Sequence, residues 1–164
     1  MRSLMFQAVC LLTLLRLPSG NAYAQQALPA AGPAISANSI PSAQRMQPEE
    51  LVQILRSQGG DKPLVLQVGP RVFYAEAHVP GSEYIGAGSQ KPGLDALRER
   101  VKALPHDRFI VLYCGCCPWT KCPNVRPAYE ELVSLGFGRV KVMYIADNFG
   151  ANWVNKGYPV EKGH

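Results

Sequence analysis

The chain has no apolar run long enough to cross a bilayer. The longest, residues 4–15, is about 12 residues against the roughly 20 that a spanning helix needs, and Arg16 interrupts it. Charge is sparse, at 18% of residues, and the basic side chains behind the net charge of +5 are scattered. With no basic stripe, no recognition-helix pattern and no interleaved aromatics, nucleic-acid binding is excluded as a function class. Histidine is scarce as well. His106 sits beside Pro105 in an exposed turn, His164 is the last residue, and His78 precedes Pro80-Gly81, where a side-chain to backbone bond is its expected role. None is placed as a general base or zinc ligand. Cysteine is absent from most of the chain: Cys10 lies in the N-terminal apolar stretch, and the other four fall within nine residues, 114–122.

That N-terminal stretch has the form of a secretory signal. Arg2 starts it, residues 4–15 are its apolar part, Pro18, Ser19 and Gly20 break it, and Ala22-Tyr23-Ala24 fits a small-x-small cleavage site. Residues 1–24 are therefore expected to be removed, leaving no stable membrane anchor and a net charge of about +3 once Arg2 and Arg16 are gone. The mature protein is expected in an exported compartment, periplasmic or secreted, where thiols meet oxidising conditions. Residues 25–43 are rich in Ala, Pro, Gln, Asn and Ser without periodicity and read as a flexible linker. One domain is expected over residues 44–163, within the size of an ordinary single core.

Within it, apolar runs alternate with helical patterns. Residues 48–57 read as a helix, with Pro48 at its first position, Glu49 and Glu50 in its first turn, and Leu51, Ile54 and Leu55 on one face. Residues 64–68 are a short apolar run of the kind buried on both faces of a parallel sheet. A short helix over 72–77, a turn at 78–81 and a brief strand at 83–85 follow. Residues 94–104 carry Leu94, Leu97, Val101 and Leu104 at helical spacing; residues 109–113 form a second strong strand, 127–135 a helix, 140–145 a third strong strand and 149–155 a last short helix. The alternation predicts an α/β fold with a mainly parallel central sheet flanked by helices. Sites in such sheets lie beyond the carboxyl ends of the strands, which is where Cys114 falls.

A strand-to-helix turn aims backbone N–H groups, and the positive end of the helix, at its contents. A thiolate there is favoured over the thiol, so a lowered pKa is expected for Cys114. Stapling is the plainer alternative, but Cys116 and Cys117 are adjacent, and loops this short gain little from closure. Cys114 and Cys117 have the two-residue spacing of redox-active dithiols. Four thiolates on one loop would also suit Cu(I) or Zn(II), through Cys114, Cys116, Cys117 and Cys122.

The order of motifs resembles the rhodanese family of sulfurtransferases. Residues 64–68 are similar to the family's first core strand. Ala77-His78-Val79-Pro80-Gly81-Ser82 resembles its Gly-His-Ile-Pro-Gly-Ala signature, and Ile110-Val111-Leu112-Tyr113-Cys114 its strand ending on the catalytic cysteine. Leu135-Gly136-Phe137 matches the end of the next helix, and Trp153 with Gly157, Pro159 and Val160 the closing Trp-x-x-x-Gly-x-Pro-Val pattern. The resemblance implies that Cys114 is the nucleophile that takes sulfur from a small donor such as thiosulfate, forms a persulfide and passes the sulfur to a thiol or other thiophilic acceptor, with no metal or organic cofactor.

The departures from the family lie in the loop, which is longer than its usual cradle and holds Cys116, Cys117 and Cys122 as auxiliary or resolving thiols. Lys121, Arg126, Trp119 and Arg71 are the candidates for binding the donor. Gln67 and Gly69 stand where the family commonly has Asp and Arg. Two readings follow. In one, a neighbouring cysteine resolves the persulfide, releasing sulfide. In the other, the fold has been turned to metal binding or thiol–disulfide exchange.

Overall fold

The computed structural model describes residues 37–163. The expected signal segment, the linker up to residue 36 and His164 lie outside the described residues. The order of elements is β1 (Arg45–Met46), α1 (Pro48–Arg56), β2 (Leu64–Gln67), α2 (Arg71–Glu76), β3 (Glu83–Tyr84), α3 (Lys91–Val101), β4 (Ile110–Tyr113), α4 (Val125–Ser134), β5 (Val140–Met143) and α5 (Phe149–Asn152). The sheet runs β1-β5-β4-β2-β3, and every pairing in it is parallel. All four residues of both β2 and β4 are buried, as expected of strands covered on both faces.

Alternation along the strands divides the core into two layers. Leu64, Leu66, Ile110 and Leu112 point to one side and pack with Leu97 and Val101 of α3 and Ala128 and Leu132 of α4. Val65, Val111 and Tyr113 point to the other and pack with Leu51 and Val52 of α1 and with Phe149 and Trp153. Continuing the period, Cys114 belongs to the α3–α4 side, within the apolar layer.

The segment after α2 is locked beneath β4 by polar bonds. The buried Tyr113 hydroxyl accepts from the Val79 amide at 3.2 Å and lies 3.1 Å from Ser82 Oγ, while Tyr74 Oη donates to the Ser82 carbonyl at 2.5 Å. His78 Nδ1 donates to the Tyr74 carbonyl at 2.8 Å, the backbone role anticipated for it, and its ring stacks on Tyr74 with centroids 3.9 Å apart. The His78–Glu161 bridge brings the C-terminal tail alongside. Trp153 Nε1 donates to the Pro159 carbonyl at 2.7 Å, holding the same tail.

Two features differ from the sequence reading. Arg45–Met46 forms an edge strand on β5, too short for an alternation pattern to register. Residues 37–43, expected to be linker, contribute two 3-10 turns, and Ala37 and Ile40 are buried in the core. The Ile40 carbonyl also accepts two bonds from the Arg45 guanidinium, at 2.8 and 3.1 Å. The packing places Ile40 among the core residues, so Ile40→Ala is expected to lower stability in urea unfolding by about 2–5 kcal/mol, the usual cost of such a truncation. A change near zero would return residues 37–43 to the linker.

Candidate active site

β4 ends by delivering Cys114 to the carboxyl edge of the sheet. Two glycines make room around it. At Gly69, just beyond β2, a Cβ would lie 2.8 Å from Cys114 Sγ; at Gly115 one would lie 2.5 Å from Phe149 Cβ. The sulfur and the Phe149 ring occupy the space that any larger residue would take. Nearby, Gly69 N donates to Gln67 Oε1 at 3.1 Å inside the core.

The loop gathers its thiols in a row. Cys114 Sγ lies 3.3 Å from Cys116 Sγ, which lies 3.1 Å from Cys117 Sγ, and all four loop cysteines are free thiols. The sulfurs of Cys114, Cys116 and Cys117 lie within 4.8 Å of one another, close enough to be offered to one soft ion. Asn124 holds the row in place. Its Nδ2 donates to Cys114 Sγ at 3.4 Å and approaches Cys116 Sγ at 3.9 Å, while its Oδ1 accepts from the Ser89 amide at 3.2 Å and hydroxyl at 2.8 Å. Asn124 precedes the first residue of α4 yet makes no capping bond, because its side chain is used on the sulfurs. Sequence reasoning started that helix at Pro127 and so missed it. An asparagine preceding a helix is a recognised cap signal, but its partner Ser89 is remote in sequence.

Electrostatics divides the thiols. Cys114, only 2% exposed, has its thiol pushed far above the ordinary value by its hydrogen bonds with Cys116 and Cys122 and by burial. Cys116 is lowered to about 6, first by the bond from Cys114, then by Cys117, its own backbone amide and Asn124. Cys122 is lowered to about 7 by Cys114 and by the amides of Asn124 and Val125 at the start of α4. Cys117 is raised by burial and its bond with Cys116. The lowered pKa expected at Cys114 therefore falls on its neighbours: the helix N-terminus serves Cys122, and the half-exposed Cys116 is the thiolate nearer solvent.

A cavity of about 430 Å³ opens beside the loop. Cys116 and Gly115 form one wall; α2, α5 and the C-terminal tail form the others. Cys114 does not line it. The four candidate donor-binding residues lie elsewhere. Trp119 is buried, packing against Tyr144 with centroids 5.1 Å apart and under the Arg45 guanidinium at 5.4 Å. Arg126 pairs with Glu130 at 2.7 Å, Arg71 lies over the Tyr84 ring at 5.2 Å, and Lys121 is exposed. Among the described residues, none of these four lines the cavity or hydrogen-bonds a loop sulfur. The residues that do line it, Phe73, Glu76, Asn148, Phe149, Val160 and Lys162, carried no local signal of a shared site.

With its pKa lowered, Cys116 is ionised above about pH 6 and protonated below it. Its alkylation rate should therefore fall as pH drops through about 6, and Asn124→Ala should move that midpoint upward by removing a donor to the thiolate. Iodoacetamide labelling across pH, with fragment-ion mapping of the loop peptide, checks this. A midpoint at the ordinary thiol value in the unsubstituted protein would refute the assignment.

No protein-family model matches the chain, and no curated protein sequence does. Solved structures do. The chain superposes on the crystal structure of the Alr3790 protein from Anabaena sp. with a TM-score of 0.55 at 20% identity, covering 71% of this chain and 82% of that one. It superposes on the solution structure of the rhodanese-like domain of the same protein with a TM-score of 0.52 at 22% identity, covering 73% and 79%. The crystal structure of the BH2092 protein from Bacillus halodurans gives 0.55 at 23% identity, covering 72% and 76%. With its parallel five-stranded sheet and flanking helices, the chain has the rhodanese-like fold, and the cysteine at the end of its central strand opens into a cysteine-rich loop.

Proposed function

We propose that this protein is an exported sulfurtransferase that takes sulfane sulfur as a persulfide on its cysteine loop and passes it to a thiol acceptor. The observation that carries this reading is the row of free sulfurs at the carboxyl end of β4, 3.3 and 3.1 Å apart, with an amide of Asn124 donating into it. A thiolate in this row attacks the sulfane sulfur of a donor, the donor's S–S bond breaks, and the electron pair leaves with the donor. An acceptor thiolate then takes the outer sulfur and regenerates the protein thiolate. Each step is a thiolate displacement at sulfur, whose rate depends on the fraction ionised and on the leaving group. The neighbouring thiols supply hydrogen bonds that favour the anion without an outside cation. Export rests on the signal-like residues 1–24, and outside the cytoplasm the loop would need a thiol reductant to stay reduced.

The test is covalent. Reduced protein incubated with a sulfane donor should gain the mass of one sulfur on the peptide carrying the loop, and a thiol acceptor should remove it. The Cys114→Ser/Cys116→Ser double variant should gain none. If the unsubstituted protein gains no sulfur on this loop, the reading fails.

A soft metal ion is the second chemistry, favoured by the three sulfurs that lie within 4.8 Å of one another. Stoichiometric copper or zinc in protein purified under reducing conditions would support it, and elemental analysis finding neither would remove it.

A further inference from the structure

The family resemblance points to Cys114 as the nucleophile, but Cys114 is enclosed, and Cys116 is the loop cysteine that lines the cavity. We propose that Cys116 first takes the sulfur, and that its donor is an organic persulfide with a zwitterionic, amino-acid-like body seated in the cavity between α2, α5 and the C-terminal tail. The proposal rests on the sulfurtransferase reading and specifies its donor.

The geometry carries the assignment of the thiol. Displacement at sulfur requires the nucleophile to approach along the bond that breaks, with the leaving group on the far side. Cys116 has open space in front of it. Cys114 is 2% exposed, with Cys116 3.3 Å away and Asn124 against it at 3.4 Å. A donor cannot reach Cys114 without displacing its cover, whereas a sulfur already on Cys116 is next to it.

The cavity carries the assignment of the donor. Its volume of about 430 Å³ is that of a small-molecule site, typically about 300–1,000 Å³. An inorganic anion of a few atoms would leave most of it unfilled. Phe73, Val154 and Val160 are large apolar side chains left 39%, 38% and 36% exposed, and all three line this cavity together with the buried Phe149. An aliphatic body would cover them. Both signs of charge are present in the lining, Glu76 and Lys162, with the amides of Asn148 and Asn155, which suits a ligand bearing an ammonium and a carboxylate.

The step balances without an outside oxidant or reductant. The Cys116 thiolate attacks the terminal sulfur of R–S–SH, a new S–S bond forms on Cys116, and the bond between the donor's two sulfurs breaks. Its electron pair departs on RS⁻, and the proton stays with the transferred sulfur.

Reduced full-length protein would be pulsed with glutathione persulfide, or separately with thiosulfate, quenched by alkylation at early times and mapped by fragment ions. The added sulfur is expected on Cys116 first, and glutathione persulfide is expected to charge the protein roughly tenfold or more faster than thiosulfate, a difference of about 1.4 kcal/mol in barrier. Cys116→Ser should lose charging, with its thermal unfolding midpoint recording that it folds. Val154→Trp, narrowing the cavity from its exposed rim, should slow charging by glutathione persulfide while iodoacetamide still labels Cys116 at the unsubstituted rate. First appearance of the sulfur on Cys114, equal rates for the two donors, or no effect of Val154→Trp would each overturn the proposal while leaving sulfur transfer standing. No added sulfur from either donor would overturn both.

Discussion

Everything near the loop depends on β4 being held between β2 and β5. Its residues pair with both neighbours, Leu112 with Leu66 on one side and with Val142 on the other, and all four are buried. A strand fixed along both edges and both faces has no freedom of register, because a one-residue slip would turn Tyr113 into the α3–α4 layer and Cys114 out of it. The position of Cys114 is therefore a consequence of core packing. The polar bonds of Tyr113 extend the same fixity to residues 79–82 beneath it.

Beyond that fixed point the loop solves a different problem, which is to bring several thiols together without closing them. Asn124 is the means. Its carbonyl oxygen is used by Ser89, so its amide hydrogens are oriented toward the sulfurs. Trp119 pins the loop's far side into the α3–α4 layer, between Tyr144 and Arg45. One buried thiol that retains its proton has a single hydrogen to give, and it favours the anion on whichever of Cys116 and Cys122 receives it. Burial alone would raise every thiol in the row; it is the hydrogen bonds that separate them, lowering Cys116 and Cys122 while Cys114 rises. At Cys116 the charge thereby lies toward the open side of the loop, whereas Cys122 is as buried as Cys114.

The C-terminal tail links fold and site. It is tied to the turn after α2 by the bridge between His78 and Glu161, and to the end of α5 by the Trp153 bond to Pro159. The Trp-x-x-x-Gly-x-Pro-Val pattern thus closes the domain, and the tail beyond Pro159 contributes Val160 and Lys162 to the cavity. Gly157, in the left-handed conformation at φ 71°, makes the turn that sends it there.

The amino-acid sequence by itself determined the α/β alternation, the parallel character of the sheet and the cysteine at the end of its central strand. These follow from local patterning: β2 and β4 are continuous apolar runs, α1 and α4 have one apolar face, and glycine and proline mark the stops. Tertiary structure alone decided the rest. β1 is two residues long and exists through its pairing with β5. Ala37 and Ile40 sit in a stretch whose composition suggests a linker, and the core is what buries them. Asn124 matters through Ser89, and the ionisation of each thiol depends on which sulfurs surround it. The cavity is built from α2, α5, the loop and the tail, segments with no local sign of belonging together. Patterning reports how each segment meets the core, whereas the charge on a sulfur and the space before it depend on groups that only folding brings close.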